Sequence, residues 1–284
     1  MGADSIPRRI IKRVLAPVLG EGTYSLLQTV AMSWDIRSGG WSEPELDLIP
    51  LAVRPGETVI DIGANYGLYS YHLSRAVGAR GKVYAFEPVP FTSKTFRRIA
   101  RVLRFANVEL VDKAVGDKPG SLELTVPISD SGAIIAGTVH AAARDNERDG
   151  KNQHARFAKS KKISCDVVVL DDFLRNIEDV SMIKCDVEGF DYFALKGCTK
   201  IIEANHPTII CEINPWFLTG LGLKVDDLVG FFTQRGYRLY RYTSESGGAR
   251  RLAPTKIEDV EEDNWVFVHP SREDRLRSIL PGAA

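Results

Sequence analysis

A short glycine-containing segment holds the first residues whose types and spacing suggest chemistry. Gly63, Asn65 and Gly67 form a G-x-N-x-G pattern directly after the apolar run 57–62. A strand, a tight turn and the start of a helix form the crevice where open α/β sheets bind ligands. Gly63 lets the backbone approach such a ligand without a Cβ clash, and we expect Gly67 to allow close helix–strand packing.

Two acids flank this loop and indicate the charge of its ligand. Asp61 lies inside the first predicted strand, and Glu87 follows the second, 82–86. An acid repels a pyrophosphate but attracts a cation, so Asp61 suits the sulfonium and ammonium groups of S-adenosylmethionine (SAM). A carboxylate at Glu87 can accept hydrogen bonds from both ribose hydroxyls. We expect Asp112 or Ala114, near the end of the third strand, to line an adenine pocket. A turn with two ordinary surface acids is the alternative.

A second set of acids follows two later strands. Asp186 ends the strand that begins at Met182, Glu188 comes two residues later, and Glu212 lies at the end of 208–213. Neighbouring strand ends would bring these three carboxylates to one rim. Asp186 and Glu212 are candidate ligands for Mg²⁺ or another divalent cation. Asp186 or Glu188 could instead act as a general base, with Lys184 nearby. The structural alternatives are a helix cap at Glu188 and a Lys184–Glu188 ion pair.

The elements that must position these residues alternate between strands and helices. Such alternation predicts an α/β fold with a mostly parallel, doubly wound, seven-stranded sheet and helices on both faces. No helical pattern separates 237–242 from 264–268, which predicts a closing antiparallel hairpin. The third strand, 108–115, is expected to form a hairpin with 121–126 across the turn 116–120.

Composition excludes several classes of protein. The 284 residues carry 37 basic and 37 acidic side chains, so the neutral chain does not resemble a nucleic-acid binder. The four cysteines form no C-x-x-C pair, which argues against a structural zinc site. No apolar run is long enough for a transmembrane helix, and the N-terminus shows no convincing cleavage site, so we expect a cytoplasmic protein.

Two segments flank the predicted domain, 51–270, and a third is inserted within it. Residues 1–50 are expected to form an N-terminal helical cap, and the basic, apolar stretch 8–15 could contact a membrane surface. Residues 127–162 lack periodicity, and we expect them to form a lid on the acceptor side. Residues 271–284 are expected to be a loose C-terminal tail.

Together these motifs resemble the FkbM family of methyltransferases over roughly residues 43–269. The matching stretches are 55–67, 85–88, 114–117, 183–191 and 195–197. The segment from Lys184 to Gly189, with its K-x-D-V-E-G pattern, is the specific part, since the glycine loop is common to many methyltransferases. Cys185 departs mildly from the isoleucine-like residue that is usual there.

The resemblance implies a Rossmann-like class I methyltransferase with SAM as the methyl donor. It also implies a hydroxyl acceptor, as on sugars, glycoconjugates or polyketides, and hence an O-methyltransferase acting on a small molecule or glycan. An NAD-dependent oxidoreductase is a second hypothesis, but Asn65 replaces the middle glycine of the dinucleotide pattern. A non-catalytic SAM-binding protein is a third.

Overall fold

The computed structural model describes residues 21–128, 159–244 and 250–281. Its helices, in chain order, are α1 (Glu21–Ser38), α2 (Ile49–Ala52), α3 (Leu68–Val77), α4 (Pro90–Leu103), α5 (Leu170–Phe173), α6 (Asp191–Lys196), α7 (Thr199–Asn205), α8 (Pro215–Gly220), α9 (Val225–Thr233) and α10 (Glu273–Leu276). Its strands are β1 (Thr58–Ile62), β2 (Lys82–Phe86), β3 (Val108–Val111), β4 (Ala114–Val115), β5 (Gly120–Ile128), β6 (Lys159–Val168), β7 (Val180–Cys185), β8 (Thr208–Ile213), β9 (Arg238–Ser244), β10 (Arg250–Pro254) and β11 (Asp263–Val268).

The large sheet has eight strands in the order β10-β9-β11-β8-β7-β1-β2-β3. Strands β8, β7, β1, β2 and β3 are parallel, whereas β11 is antiparallel to both β8 and β9. The prediction of a doubly wound, mostly parallel sheet is confirmed, as is the antiparallel pairing of 237–242 with 264–268. The strand that was not predicted is β10. It lies at the exposed edge with only Leu252 buried, so its residues lack an apolar alternation.

A separate three-stranded sheet has the order β4-β6-β5. It corrects two predictions. The third strand, 108–115, is divided, because β3 joins the large sheet and β4 pairs with β6. The expected hairpin of that strand with 121–126 is wrong, because β5 pairs antiparallel with β6 from Gly120↔Val167 to Ile128↔Lys159. Residues 129–158, the centre of the predicted lid, lie outside the described residues.

Buried apolar side chains cover both faces of the large sheet. All six residues of β7 are buried, the pattern of a central strand with helices on each side. Met32 and Ile36 of α1 belong to the cluster on one face, together with residues of β1, α3 and α4. Helix α1 packs along α4, with 3.2 Å between the hydroxyl oxygens of Ser25 and Thr95. The described part of the N-terminal segment therefore shares the core of the sheet.

The described residues after 270 are packed, which corrects the expectation of a loose tail. Leu276 and Ile279 are buried against the same core cluster as α1. Arg275 donates two hydrogen bonds to the carboxylate of Glu57, at 2.6 and 2.9 Å. These contacts join the end of the chain to the residue that precedes β1.

Among the described helices, none combines the length and the apolar character that a bilayer crossing requires. The basic stretch 8–15, with its predicted membrane contact, lies outside the described residues.

Candidate functional site

The register of the parallel strands brings their carboxyl ends to one edge. Ile62 pairs with Phe86 of β2 and with Cys185 of β7, and Cys185 pairs with Cys211 of β8. The residues that come next therefore lie in one row: Gly63, Glu87, Asp186 and Glu212. The chain runs from β1 outward to β2 in one direction and from β7 to β8 in the other. This edge is therefore the switch point where doubly wound sheets bind ligands.

A cavity of about 260 Å³ opens at this edge. One end is lined by Gly63, Asn65 and Glu87, and the other by carboxylates of Asp186, Glu188 and Glu212. A larger open groove, about 1120 Å³, lies between α9, β9 and α10, away from the glycine loop. We assign the function to the smaller cavity because that is where polar groups converge on an otherwise apolar lining.

Glu87 is held rigidly at the loop end of the cavity. Its Oε2 accepts a hydrogen bond from the backbone N–H of Asn65 at 3.0 Å, and its Oε1 accepts one from Val89 at 2.9 Å. Burial raises the pKa of Glu87 to about 7. Asn65 has a φ of +48°, and its side-chain Oδ1 is buried without a hydrogen-bond partner. Both side chains can therefore accept hydrogen bonds from a ligand.

Three of the predicted loop residues do not line the cavity. Asp61 is buried beneath the loop, where its carboxylate accepts a 2.5 Å hydrogen bond from Ser70, and burial raises its pKa to about 6. Gly67 begins α3, and a Cβ there would come within 2.7 Å of the Phe96 ring, so its glycine serves packing against a helix.

The third of these residues, Asp112, also makes its contacts away from the cavity. Its carboxylate forms a half-exposed ion pair with Arg97 of α4, with 2.8 Å between Nη2 and Oδ2. Ala114, the alternative residue for that pocket, does line the cavity, as does Lys113. Asp112 follows Val111, which pairs with Phe86, so it lies next to Glu87 at the sheet edge without lining the cavity, and its charge helps to raise the pKa of Glu87.

The structure brings the three predicted rim carboxylates together. Oxygen atoms of Asp186, Glu188 and Glu212 lie within 4.8 Å of one another. Burial raises the pKa of Glu188 and of Glu212 well above the usual range, and the charge of Asp186 raises both further. Glu212 Oε2 is buried without a partner. The rim therefore has carboxylate oxygens that can still bind a cation or a proton.

The backbone of the rim is held by a residue outside the predicted set. Glu188 has a φ of +51°, in the left-handed region. Asp191 accepts hydrogen bonds from the backbone N–H groups of Val187 and Gly189, at 3.2 and 3.0 Å. The residue that caps this turn is therefore Asp191, and the alternative of a helix cap at Glu188 is not needed.

Lys184 is a buried counter-charge to the rim. Its Nζ donates to Asn264 Oδ1 at 2.7 Å and lies 3.5 Å from Asp186 Oδ2, so its ion-pair partner is Asp186 and not Glu188. Burial lowers its pKa, but the charges of Asp186, Glu43 and Glu212 outweigh that effect, and the net pKa is raised. Lys184 therefore stays protonated, which makes it a positioning cation and not a base.

Several site residues escaped the sequence reasoning. Trp41 and Glu43, from the segment expected to be a cap, line the cavity, and Glu43 Oε2 is buried without a partner. Asn264 reaches Lys184 because it pairs with Glu212 across β11 and β8. Trp41 and Glu43 lie in an irregular segment without periodicity, so the sequence offered no signal for them. The polar Asn264 inside an apolar strand was a signal that could have been used.

Comparison with known proteins agrees with this geometry. The family described as the Methyltransferase FkbM domain matches residues 61–239, more than half of the chain. "Methyltransferase 1" of Beauveria bassiana (strain ARSEF 2860) is 29% identical over 146 residues, which are 49% of this chain and 57% of that protein. The chain thus spans little more than half the length of that curated relative.

Two solved structures are similar in fold at low identity. Methyltransferase FkbM from Methylobacillus flagellatus KT has 14% identity and a TM-score of 0.44, covering 94% of this chain and 61% of that one. A SAM-dependent methyltransferase from Aquifex aeolicus has 17% identity and a TM-score of 0.40, covering 80% and 88%. The family match spans the glycine loop, Glu87 and the carboxylate rim, and on that match the chain belongs to the FkbM methyltransferase family.

Proposed function

We propose that the protein is a SAM-dependent O-methyltransferase whose acceptor is a hydroxyl of a sugar, glycoconjugate or polyketide-type small molecule. The observation that carries this proposal is that one cavity has Glu87 at one end and the carboxylates of Asp186, Glu188 and Glu212 at the other. The first end suits a nucleoside, and the second suits a group that must lose a proton. The two ends share one sheet edge, so donor and acceptor would meet between them.

The residues at the loop end fit SAM. Both oxygens of Glu87 are held by backbone N–H groups and keep further lone pairs for two ribose hydroxyls. Asn65 Oδ1, buried without a partner, can accept a hydrogen bond from the ligand. Asp61 would contribute negative charge from beneath the loop and not as a direct ligand. Bound SAM supplies a methyl carbon that its sulfonium already activates.

At the rim, this chain's residues would orient the acceptor and take its proton. As the C–O bond forms and the C–S bond breaks, the hydroxyl proton must pass to a base, for which Asp186 and Glu188 are the candidates. The raised pKa of Glu188 makes its ionised form a stronger proton acceptor. Lys184 holds Asp186 in place. Trp41 offers an aromatic wall of the kind that packs against sugar rings.

The same rim fits a divalent cation. When Asp186, Glu188 and Glu212 are all ionised they carry three negative charges, and Lys184 offsets one of them, so a divalent cation would balance the rest and favour the ionised forms. Their oxygens already lie within 4.8 Å of one another. Hard cations prefer such oxygen ligands. A cation held there would stabilise the deprotonated acceptor.

The competing functions are less well supported. A dinucleotide would place a pyrophosphate beside the loop, where Asp61 is buried and Asn65 replaces the glycine of the dinucleotide pattern. A non-catalytic SAM-binding protein would not need the carboxylate rim. A nucleic-acid acceptor is disfavoured by the net charge of zero. The proposal also includes a cytoplasmic location.

Calorimetric titration with SAM and with NAD tests the donor assignment. We expect the protein to bind SAM and not NAD. The Glu87→Gln variant should bind SAM roughly ten- to a hundredfold more weakly, because hydrogen bonds to charged groups contribute about 1.5–3 kcal/mol. The matched control is Glu109→Gln, at an exposed glutamate on β3 that pairs with Lys82. Binding of NAD in place of SAM would refute the function.

Methyl transfer from labelled SAM to a panel of sugars and polyketide alcohols tests the rim. We expect Asp186→Asn and Glu212→Gln to keep SAM affinity and lose at least about a hundredfold in rate, the contribution typical of a positioned base. The control is Asp226→Asn, at an exposed aspartate of α9. Titration with Mg²⁺ shows whether Glu212→Gln also removes cation binding. Full activity of Asp186→Asn would contradict the catalytic assignment.

A further inference from the structure

The outer face of α1 carries exposed apolar side chains. Among the described residues, five large apolar side chains are strongly exposed, and three of them lie on α1: Leu26 at 57%, Val30 at 67% and Trp34 at 72%. A fourth, Val102 at 58%, lies on α4. We call these four residues the outer patch. Side chains four residues apart lie on the same face of a helix, so the three on α1 form one stripe.

The two helices that carry the outer patch pack against each other. Ser25 of α1 contacts Thr95 of α4 and accepts a hydrogen bond from Arg98, so α4 lies beside the start of the stripe. Val102 is one helical turn beyond Arg98 on the same face. The outer patch therefore lies on two helices that contact each other.

Positive charge surrounds the outer patch. Helix α4 contains basic residues and no acid, and its Lys94 and Arg101 are exposed, as is Arg37 at the end of α1. Within residues 25–38, the part of α1 whose side chains are described, the only acid is Asp35, and it is buried. Basic residues beside Trp and aliphatic side chains are typical of surfaces that lie in the headgroup region of a membrane.

We propose that the outer patch binds the surface of a bilayer that contains anionic lipids. The apolar side chains would enter the headgroup boundary, while Lys94, Arg101 and Arg37 would contact lipid phosphates or carboxylates. A stable protein interface needs about 800 Å² on each partner and a core poor in charge. Four apolar side chains flanked by cations are too small and too charged for such an interface. In a membrane, by contrast, each side chain that enters the headgroup boundary adds its own binding free energy.

Helix α1, which carries most of the outer patch, also contacts the residues around the cavity. On the inner side of α1, Gln28 donates a hydrogen bond to the Tyr66 hydroxyl of the glycine loop, at 2.8 Å. The chain that leaves α1 supplies Trp41 and Glu43 to the cavity wall. Membrane binding through α1 would therefore involve the helix that contacts the glycine loop and leads into the cavity wall. The binding itself does not depend on the proposed methyl transfer, and it is tested without SAM.

Sedimentation of the full chain with vesicles tests this proposal. We expect binding to vesicles of mixed phosphatidylglycerol and phosphatidylcholine, weak binding to phosphatidylcholine alone, and weaker binding at about 0.5 M salt, where charges are screened within a few ångströms. The combined variant Leu26→Ser, Val30→Ser and Trp34→Ser should bind at least about tenfold more weakly. The variant Lys94→Glu, Arg101→Glu should lose a similar factor, since each cation near the surface contributes about 1 kcal/mol.

Two variants outside the patch serve as matched controls. Phe173→Ser removes the fifth exposed apolar side chain, and Lys256→Glu reverses an exposed charge between β10 and β11. Both should bind anionic vesicles as the natural chain does. Circular dichroism and light scattering of each variant report its melting temperature and its oligomeric state.

Three outcomes would overturn the proposal. The first is a natural chain that does not bind anionic vesicles, and the second is an apolar variant that binds them unchanged. The third is an apolar variant that melts at a clearly lower temperature or converts a dimer to a monomer, with vesicle binding no weaker than in the controls. That result would mean that another part of this chain or a second copy covers the patch.

Discussion

A Cβ atom on Gly63 would lie 1.9 Å from the carbonyl oxygen of Asp186, so the glycine loop and the carboxylate rim touch through their backbones. Gly63 follows β1, Asp186 follows β7, and these two strands are neighbours in the sheet. The glycine is needed for this close approach as well as for its φ of +79°. The loop end and the carboxylate end of the cavity are therefore joined by direct backbone contact.

This contact predicts different costs at two glycines with similar backbone angles. Gly56 has a φ of +95° and open space around its Cβ position, so Gly56→Ala should lower the free energy of unfolding by roughly 1–2 kcal/mol, the left-handed penalty alone. Gly63→Ala adds the clash with Asp186 and should cost clearly more. Urea unfolding of both variants measures the difference. Equal losses would show that the sheet edge can open without strain.

The burial of Glu45 predicts that the free energy of unfolding falls as pH rises. It is 5% exposed, and burial raises its pKa from 4.5 to about 7. Between these values the folded chain binds more protons than the unfolded one, so the stabilising protonated form is lost as pH rises through 7. Glu45→Gln should therefore be more stable than the natural chain by about 2–3 kcal/mol at pH 8, and by little at pH about 4.

Thermal unfolding of the Glu45→Gln variant across this pH range provides the measurement. Glu258→Gln, at an exposed glutamate, is the control and should follow the natural chain at every pH. A gain that grows as pH falls would reverse the predicted sign and exclude a buried, protonated Glu45.

Two arginines near the C-terminus predict unequal contributions to stability. Arg275 donates two hydrogen bonds to the partly buried Glu57, whereas Arg277 pairs with Asp274 where both side chains are more than three-quarters exposed. Arg275→Leu should cost about 1.5–3 kcal/mol at pH 7, and Arg277→Leu less than about 0.5 kcal/mol. Equal small losses in urea unfolding would mean that the end of the chain is not docked.

The Arg275 effect should also depend on pH, with the opposite sign to that of Glu45. Burial raises the pKa of Glu57, but the hydrogen bonds from Arg275 and Arg54 outweigh it, and the net pKa is lowered from 4.5. The stabilisation is present above 4.5 and is lost as pH falls through the lowered pKa. The difference between the natural chain and Arg275→Leu should therefore shrink in acid.

Lys184→Met should leave the rim carboxylates without their buried counter-charge. Breaking a buried ion pair by removing one partner costs about 3–5 kcal/mol, so we expect a large drop in melting temperature. Adding Mg²⁺ should restore much of the loss if the rim binds it. The control Lys162→Met breaks an exposed pair with Glu123 and should change stability by less than about 1 kcal/mol. A Lys184→Met variant as stable as the control would contradict this role.

The strand ends that build the site were predictable because each strand is a short apolar run that stops at a polar residue. In parallel strands those stops fall on the same edge, so Asp186, Glu188 and Glu212 were expected at one rim, and Glu87 beside the glycine loop, without any structure. The face of β1 on which the Asp61 side chain lies was not predictable. Its strand is covered on both faces, so the apolar pattern does not say which face a side chain takes, and packing against Ser70 decides it.

The sequence by itself determined the family, the mostly parallel, doubly wound sheet and the acids at the ends of its strands, because these depend on local runs of side chains. Tertiary structure alone decided that Asn264 holds Lys184, 80 residues away, and that Trp41 and Glu43 close the cavity. It also separated β4 from β3. Such contacts depend on which distant segments pair and in what register, and that choice is settled by burial of the whole core and not by any local pattern.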